Sequence, residues 1–212
     1  MGREFLSIFD DWANTYDLSV AGVDQQYAAV FSNYDKILDE VVEHSEGNVL
    51  EFGVGTGNLS KKLIEAGHSF IGVEPSLAMR EIAKEKLGDV EILDGDFLSF
   101  PAISESINTI VSTYAFHHLT DKEKEVAISN FSQMLPKDGR IVFGDTIFQS
   151  DQAKELMIEQ AKRQGYLDLA DDLQREYYPT ITVLKNIFTL YNFNIAFHQM
   201  NDFVWLLLAK KN

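Results

Sequence analysis

The sequence predicts an α/β protein built on a doubly wound sheet. Three observations predict it. A short apolar run, Val49–Phe52, leads through glycines at 53, 55 and 57 into Leu59 and Leu63 at helical spacing, which is the strand, turn and helix that open a βαβ unit. Apolar runs of strand length recur at Ser69–Glu74, Val90–Leu93, Asn108–Tyr114 and Arg140–Asp145, with helix-length segments between them. The chain closes on Phe193–Met200 and Phe203–Ala209, which suit a terminal antiparallel hairpin added to a parallel sheet.

Each element follows in order. Residues 1–46 read as a helical cap: Phe5, Ile8, Phe9 and Trp12 recur at helical intervals, and Asn33–His44 carries Ile37, Leu38, Val41 and Val42 on one face. Residues 47–148 hold the βα core. Its first strand is Asn48–Phe52. The second ends on Glu74 and is stopped by Pro75, after which Leu77 and Met79 enter a helix. The third runs into Asp94-Gly95-Asp96-Phe97, by itself the composition of a turn. The fourth is followed by Ala115-Phe116-His117-His118-Leu119, a helix start at Thr120-Asp121 and a helix to Leu135. Pro136–Gly139 is a turn, and the fifth strand extends from Arg140 towards Phe148. Residues 149–178 give a helix, Ser150–Gln164, and an interruption, Gly165–Tyr178, rich in Tyr and Leu among acids. Residues 179–212 give the helix Thr180–Tyr191 and the hairpin. The whole is one domain, without tandem repeats or linkers.

Composition narrows the functions. The 212 residues include no cysteine, which excludes disulfides, thiolate metal sites and iron–sulfur clusters. The 5 histidines offer one adjacent pair and no HExxH spacing, so no metal is expected. Net charge is −15, which repels a phosphate backbone and argues against nucleic acid. Met1–Asp10 lacks the basic and apolar regions of a signal peptide, and Phe203–Ala209 is too short to span a bilayer. A cytoplasmic protein with no membrane partner is expected; the oligomeric state is open.

The glycine turn sets the chemistry. A dinucleotide fingerprint, G-x-G-x-x-G, places a pyrophosphate on the helix N-terminus. Here it fails in both frames, ending on Asn58 when counted from Gly53 and on Ser60 when counted from Gly55. What stands is Glu51-x-Gly53-x-Gly55-x-Gly57, with an acid ahead of bare backbone. That acid repels a diphosphate and attracts a cation. The stretch resembles motif I, E/D-x-G-x-G-x-G, of the class I methyltransferases, whose cofactor, S-adenosyl-L-methionine, carries an ammonium and a sulfonium and no phosphate.

The resemblance implies a Rossmann-like methyltransferase sheet of seven strands, six parallel and one antiparallel, with an N-terminal helical cap. It also implies roles for residues. Glu51, Gly53, Gly55 and Gly57 would hold the amino-acid end of the cofactor, and Glu74 the ribose hydroxyls. Asp96 would accept from the adenine amino group, with the backbone or side chain of Phe97 bordering the ring. Phe9-Asp-Asp-Trp12-Ala-Asn-Thr-Tyr16-Asp17 is similar to the F-x-x-x-A-x-x-Y-D lead-in of small-molecule methyltransferases, in which the tyrosine lines the cleft. Tyr16 and Trp12 would then face the sulfonium, or Trp12 would pack on the sheet. Ser112 sits where the fourth strand ends and the pocket begins. His117 and His118 either act on the acceptor as bases or cap a structural turn. Asp145 either contacts substrate or caps the next helix, and the cap is favoured. Tyr177 and Tyr178 either line an acceptor lid or belong to the core. The implied reaction is methyl transfer to a small-molecule acceptor. A nicotinamide oxidoreductase and a cofactor-binding regulatory module without turnover are the alternatives.

Overall fold

The computed structural model describes residue 10 and residues 12–212. Phe5, Ile8 and Phe9 of the expected first helix lie outside the described residues. The lead-in gives α1 (Tyr16–Val20) and α2 (Tyr34–Glu43). The core follows as β1 (Asn48–Phe52), α3 (Asn58–Glu65), β2 (Ser69–Val73), α4 (Leu77–Leu87), β3 (Ile92–Leu93) and β4 (Thr109–Thr113). A 3-10 turn, Phe116–His118, leads into α5 (Asp121–Met134) and β5 (Arg140–Thr146). Then come α6 (Asp151–Gln164), α7 (Leu167–Arg175), α8 (Ile181–Leu190), β6 (Phe193–Gln199) and β7 (Val204–Lys211).

The strands form one 7-stranded sheet in the order β3-β2-β1-β4-β5-β7-β6. Only β7 runs against the rest, pairing antiparallel with β5 and β6. Strand alternation sends Leu50 and Phe52 of β1 to one face and Val49 to the other. On the first face they meet Ala127, Ile128 and Phe131 of α5 and Leu184 and Phe188 of α8. On the second, Leu38 and Val41 of α2 and Leu59 and Leu63 of α3 pack over Val111 and Val142. Full burial of a ring such as Phe52 or Phe131 contributes about 1.5–3 kcal/mol. Helix starts follow the sequence signals: Thr120 and Glu123 form a capping box on α5, and Ser150 and Thr180 cap α6 and α8.

The third strand is shorter than Val90–Leu93. Only Ile92 and Leu93 pair with β2, because the Val90 N–H turns back to the Gly88 carbonyl at 2.9 Å and is lost to the ladder. Within Gly165–Tyr178, Leu167–Arg175 is helical: Leu169, Ala170 and Leu173 are buried along one side, the apolar stripe of α7.

The order in which successive strands are laid down reverses between β1 and β4, which run parallel as neighbours in the sheet. The loops leaving their C-terminal ends therefore stand side by side, the crevice in which ligands bind in open α/β sheets.

Candidate active site

The first half of the site is a backbone nest after β1. Gly53 has φ 73°, and a Cβ there would lie 2.6 Å from the Ala115 Cβ, so only glycine lets this loop pass the segment after β4. Gly55 also has positive φ, 56°, with nothing near its missing side chain. Its N–H donates to Glu74 Oε2 at 2.9 Å, while Ser76 N–H donates to Glu74 Oε1 at 2.8 Å. Burial pushes the Glu74 carboxyl up to about 7, against those two donors. Glu51 lies on the α3 face of β1, where Ser60 Oγ donates to its Oε2 at 2.6 Å. Burial pushes it up to about 8, and the neighbouring Glu74 charge adds to the shift. Among the described residues, Glu51 Oε1 and Ser112 Oγ are buried and have no hydrogen-bond partner. Buried polar atoms of this kind are uncommon and mark strain or a ligand site.

The cap is latched onto this nest. Asp17 Oδ1 accepts from Thr56 Oγ1 at 2.7 Å and Asn58 Nδ2 at 3.1 Å, and its Oδ2 pairs with Lys86 at 2.9 Å. Ser76 Oγ donates to Asp10 at 2.5 Å.

The second half is a cavity of about 590 Å³ beside the nest. Its walls include Trp12, Tyr16, Tyr27, Phe31, Tyr114 and Tyr178. Tyr114 takes a left-handed backbone, φ 53°, which is costly for a bulky residue and turns the chain sharply at the end of β4. The segment before α2 meets α7 across the cavity: Gln26 Nε2 donates to Asp168 at 2.8 Å, and the Tyr27 hydroxyl donates to Asp172 of α7.

A polar knot closes the floor. His117 Nδ1 lies 2.5 Å from Asp145 Oδ1, and its backbone N–H donates to Asp145 Oδ2 at 2.9 Å. His117 Nε2 lies 3.3 Å from Glu176 Oε2. Tyr178 stacks on the His117 ring with centroids 4.7 Å apart and donates to Glu176 at 2.5 Å. Burial disfavours the charged His117, but the two carboxylates outweigh it and push its pKa up to about 9. Burial also opposes ionisation of Glu176, yet His117 holds it down to about 2. His118 is held well below the usual imidazole range by burial and then by the His117 charge.

The expected residues thus separate into three groups. Glu51, Gly53, Gly55, Gly57, Glu74 and Ser112 gather at the C-terminal ends of β1, β2 and β4. Tyr16, Trp12, His117, His118 and Tyr178 line the cavity, while Tyr177 is outside it and 39% exposed. Asp96 and Phe97 are more locally engaged. Asp96 Oδ1 accepts from Leu98 and Ser99 N–H, both at 2.9 Å, and the Phe97 ring stacks on Phe52 in the core. Asp145 corrects the sequence reading: it caps no helix but grips His117, since Ser150 caps α6 instead. Sequence reasoning gave no role to Asp17, Lys124 or Glu176. The position of Asp145 at a parallel strand's end was one available signal, and Asp17 closes the F-x-x-x-A-x-x-Y-D lead-in; Lys124 and Glu176 have none in the sequence.

A family model for the methyltransferase domain matches residues 49–139. The chain is 59% identical to an uncharacterized methyltransferase of Oceanobacillus iheyensis, over 100% of this chain and 99% of that one. It is 60% identical to another of Anoxybacillus flavithermus, over 100% of both. Among solved structures, magnesium protoporphyrin IX methyltransferase from Synechocystis PCC 6803, crystallised with SAM, matches with TM-score 0.68 and 16% identity over 98% of this chain and 97% of that one, a likeness of fold. With such identity to its relatives along its full length, the chain belongs to the methyltransferase family.

Proposed function

We propose that this protein transfers a methyl group from S-adenosyl-L-methionine to a small molecule held in the aromatic cavity. The observation that carries the reading is that cavity and nest adjoin through neighbouring residues: Tyr16 and Tyr114 line the cavity, while Asp17 bonds Thr56 of the nest and Ala115 stands against Gly53. The fit rests on Glu51 Oε1 and Ser112 Oγ, buried without partners among the described residues, and on Glu74 at the end of β2. Bound there, the cofactor supplies an electrophilic methyl on a sulfonium. Glu74 would hold its ribose and the Glu51–Gly57 stretch its amino-acid end. Trp12 and Tyr16 offer ring faces that attract positive charge.

A cavity of about 590 Å³ falls in the range of small-molecule sites, which supports a small acceptor. The residues act chiefly by aligning the acceptor and excluding water. Both ring nitrogens of His117 already face carboxylates, so it is placed as a positioning residue rather than a base. Among the described residues, no helix is long and apolar enough to cross a membrane.

Calorimetry with S-adenosylhomocysteine and NADH tests the cofactor. Tighter binding of S-adenosylhomocysteine supports the reading; tighter binding of NADH restores the oxidoreductase alternative. A crystal soaked with S-adenosylhomocysteine then shows whether its sulfur faces the space bounded by Tyr16, Tyr114 and Tyr178.

A further inference from the structure

We propose that His117, His118 and Glu176 form a site for one first-row divalent transition metal ion, zinc foremost, in the floor of the cavity. One donor atom from each of the three lies within 4.8 Å of the others. The donors come from the turn after β4 and the residue after α7, and all three line the cavity. The separation of His117 Nε2 from Glu176 Oε2, 3.3 Å, exceeds the 2.7–2.9 Å usual for a charge-assisted hydrogen bond. It is about the spacing, roughly 3.3 Å, of two donors each ~2.0–2.1 Å from a tetrahedral zinc.

The surroundings resemble the outer shell of a metal site. Metal-bound histidines commonly give their second nitrogen to a carboxylate, which fixes tautomer and ring orientation. His117 Nδ1 has that partner in Asp145, itself fixed by backbone N–H groups of His117 at 2.9 Å and Thr146 at 2.7 Å. Glu176 is held by the Tyr178 hydroxyl at 2.5 Å. Buried Lys124 ties the two donor segments together, donating to the carbonyl of Leu119, next to His118, and to that of Tyr177, next to Glu176, at 2.7 Å. Nitrogen and oxygen donors without thiolates favour a borderline divalent ion. Two histidines and one carboxylate leave a coordination position towards the cavity, where an acceptor oxygen, nitrogen or sulfur would sit. That last step, and no other, rests on the proposed function.

The test is metal uptake by the full-length protein without cofactor or acceptor. Chelator-treated protein is titrated with Co²⁺, read by visible absorption, and with Zn²⁺ in competition. The expected result is one ion per chain with proton release, since the metal displaces the proton on His117. His118→Gln and Glu176→Gln should each weaken uptake by at least about tenfold, and Asp145→Asn by about 10–100-fold. Circular dichroism checks that each variant folds. Should Glu176→Gln not fold, His118→Gln decides, together with X-ray absorption of the zinc-loaded wild type, which should show imidazole nitrogens. Absence of stoichiometric uptake, or uptake indifferent to both donor substitutions, overturns the site and leaves a plain ion pair. S-adenosylhomocysteine binding is measured on the same samples. Its loss strikes the proposed cofactor, and its persistence without metal uptake strikes this inference alone.

Discussion

Two buried regions of this molecule handle carboxylates in opposite ways. In the nest, Glu51 and Glu74 are pushed up to about 8 and 7, because burial outweighs the hydrogen-bond donors around them and, at Glu74, the Arg80 charge as well. At the cavity floor, Glu176 is held down to about 2, because an imidazole of opposite charge stands against it. Burial acts on all of them; the partner decides the sign. The nest is made of backbone and reserves its negative charge for a ligand. The floor is made of side chains from distant segments and neutralises itself. Cofactor affinity should therefore be governed by the first region, and stability and acceptor handling by the second.

The largest effect that would sharpen this contrast is at the floor. His117→Ala leaves Asp145 and Glu176 buried without their shared partner, which should cost about 3–5 kcal/mol of stability. Chemical denaturation measures it. Affinity for S-adenosylhomocysteine should hold where the variant is folded; a parallel loss would break the separation between the two regions.

Gly53→Ala comes next. A left-handed alanine costs about 1–2 kcal/mol, and the contact of 2.6 Å with Ala115 forces local repacking. Forced repacking of that kind costs about 1–3 kcal/mol more. The melting temperature should fall and cofactor affinity with it. Gly55→Ala, with open space at its Cβ, should lose less stability.

Glu74→Ala should leave the floor untouched and weaken cofactor binding by about 1–3 kcal/mol, since it removes the acceptor of Gly55 and Ser76 N–H and the carboxyl proposed to hold the ribose. Calorimetry giving wild-type affinity would show that the ribose is held elsewhere.

The smallest expected effect is a pH trend. Glu51 and Glu74 have folded values above the ordinary 4.5, so the folded state binds more protons than the unfolded one between those values. Their contribution is full below pH 4.5 and is lost as pH rises through about 7 to 8. The melting temperature of the cofactor-free protein should fall across that window. His117, raised to about 9, adds a fall of the same sign above its ordinary 6.5. Glu51→Gln should make the fall shallower from pH 4.5 to about 8, leaving the share of Glu74 up to about 7 and that of His117 above 6.5, and cofactor affinity should rise with pH over the same range. A melting temperature that climbs with pH there would contradict the protonated nest.

Local periodicity was enough for the fold because most elements announce themselves over a few residues. Thr120 with Glu123 starts α5, Ser150 starts α6, and the alternation of β1 places Phe52 inward. The third strand was read too long because a neighbour intervened: the Gly88 carbonyl took the Val90 N–H. The buried side of α7 depends on what packs against it.

The sequence by itself determined the nest, since Glu51, the three glycines and Glu74 lie within one βαβ unit and chain connectivity alone brings them together. Only the tertiary structure decided the cavity floor. Asp145, His117 and Glu176 come from three separate segments, and the latch of Asp17 on Thr56 joins cap to core. Such contacts depend on how the cap, the sheet and the lid helix dock, and a linear pattern carries no record of which side chain will stand opposite which once they do.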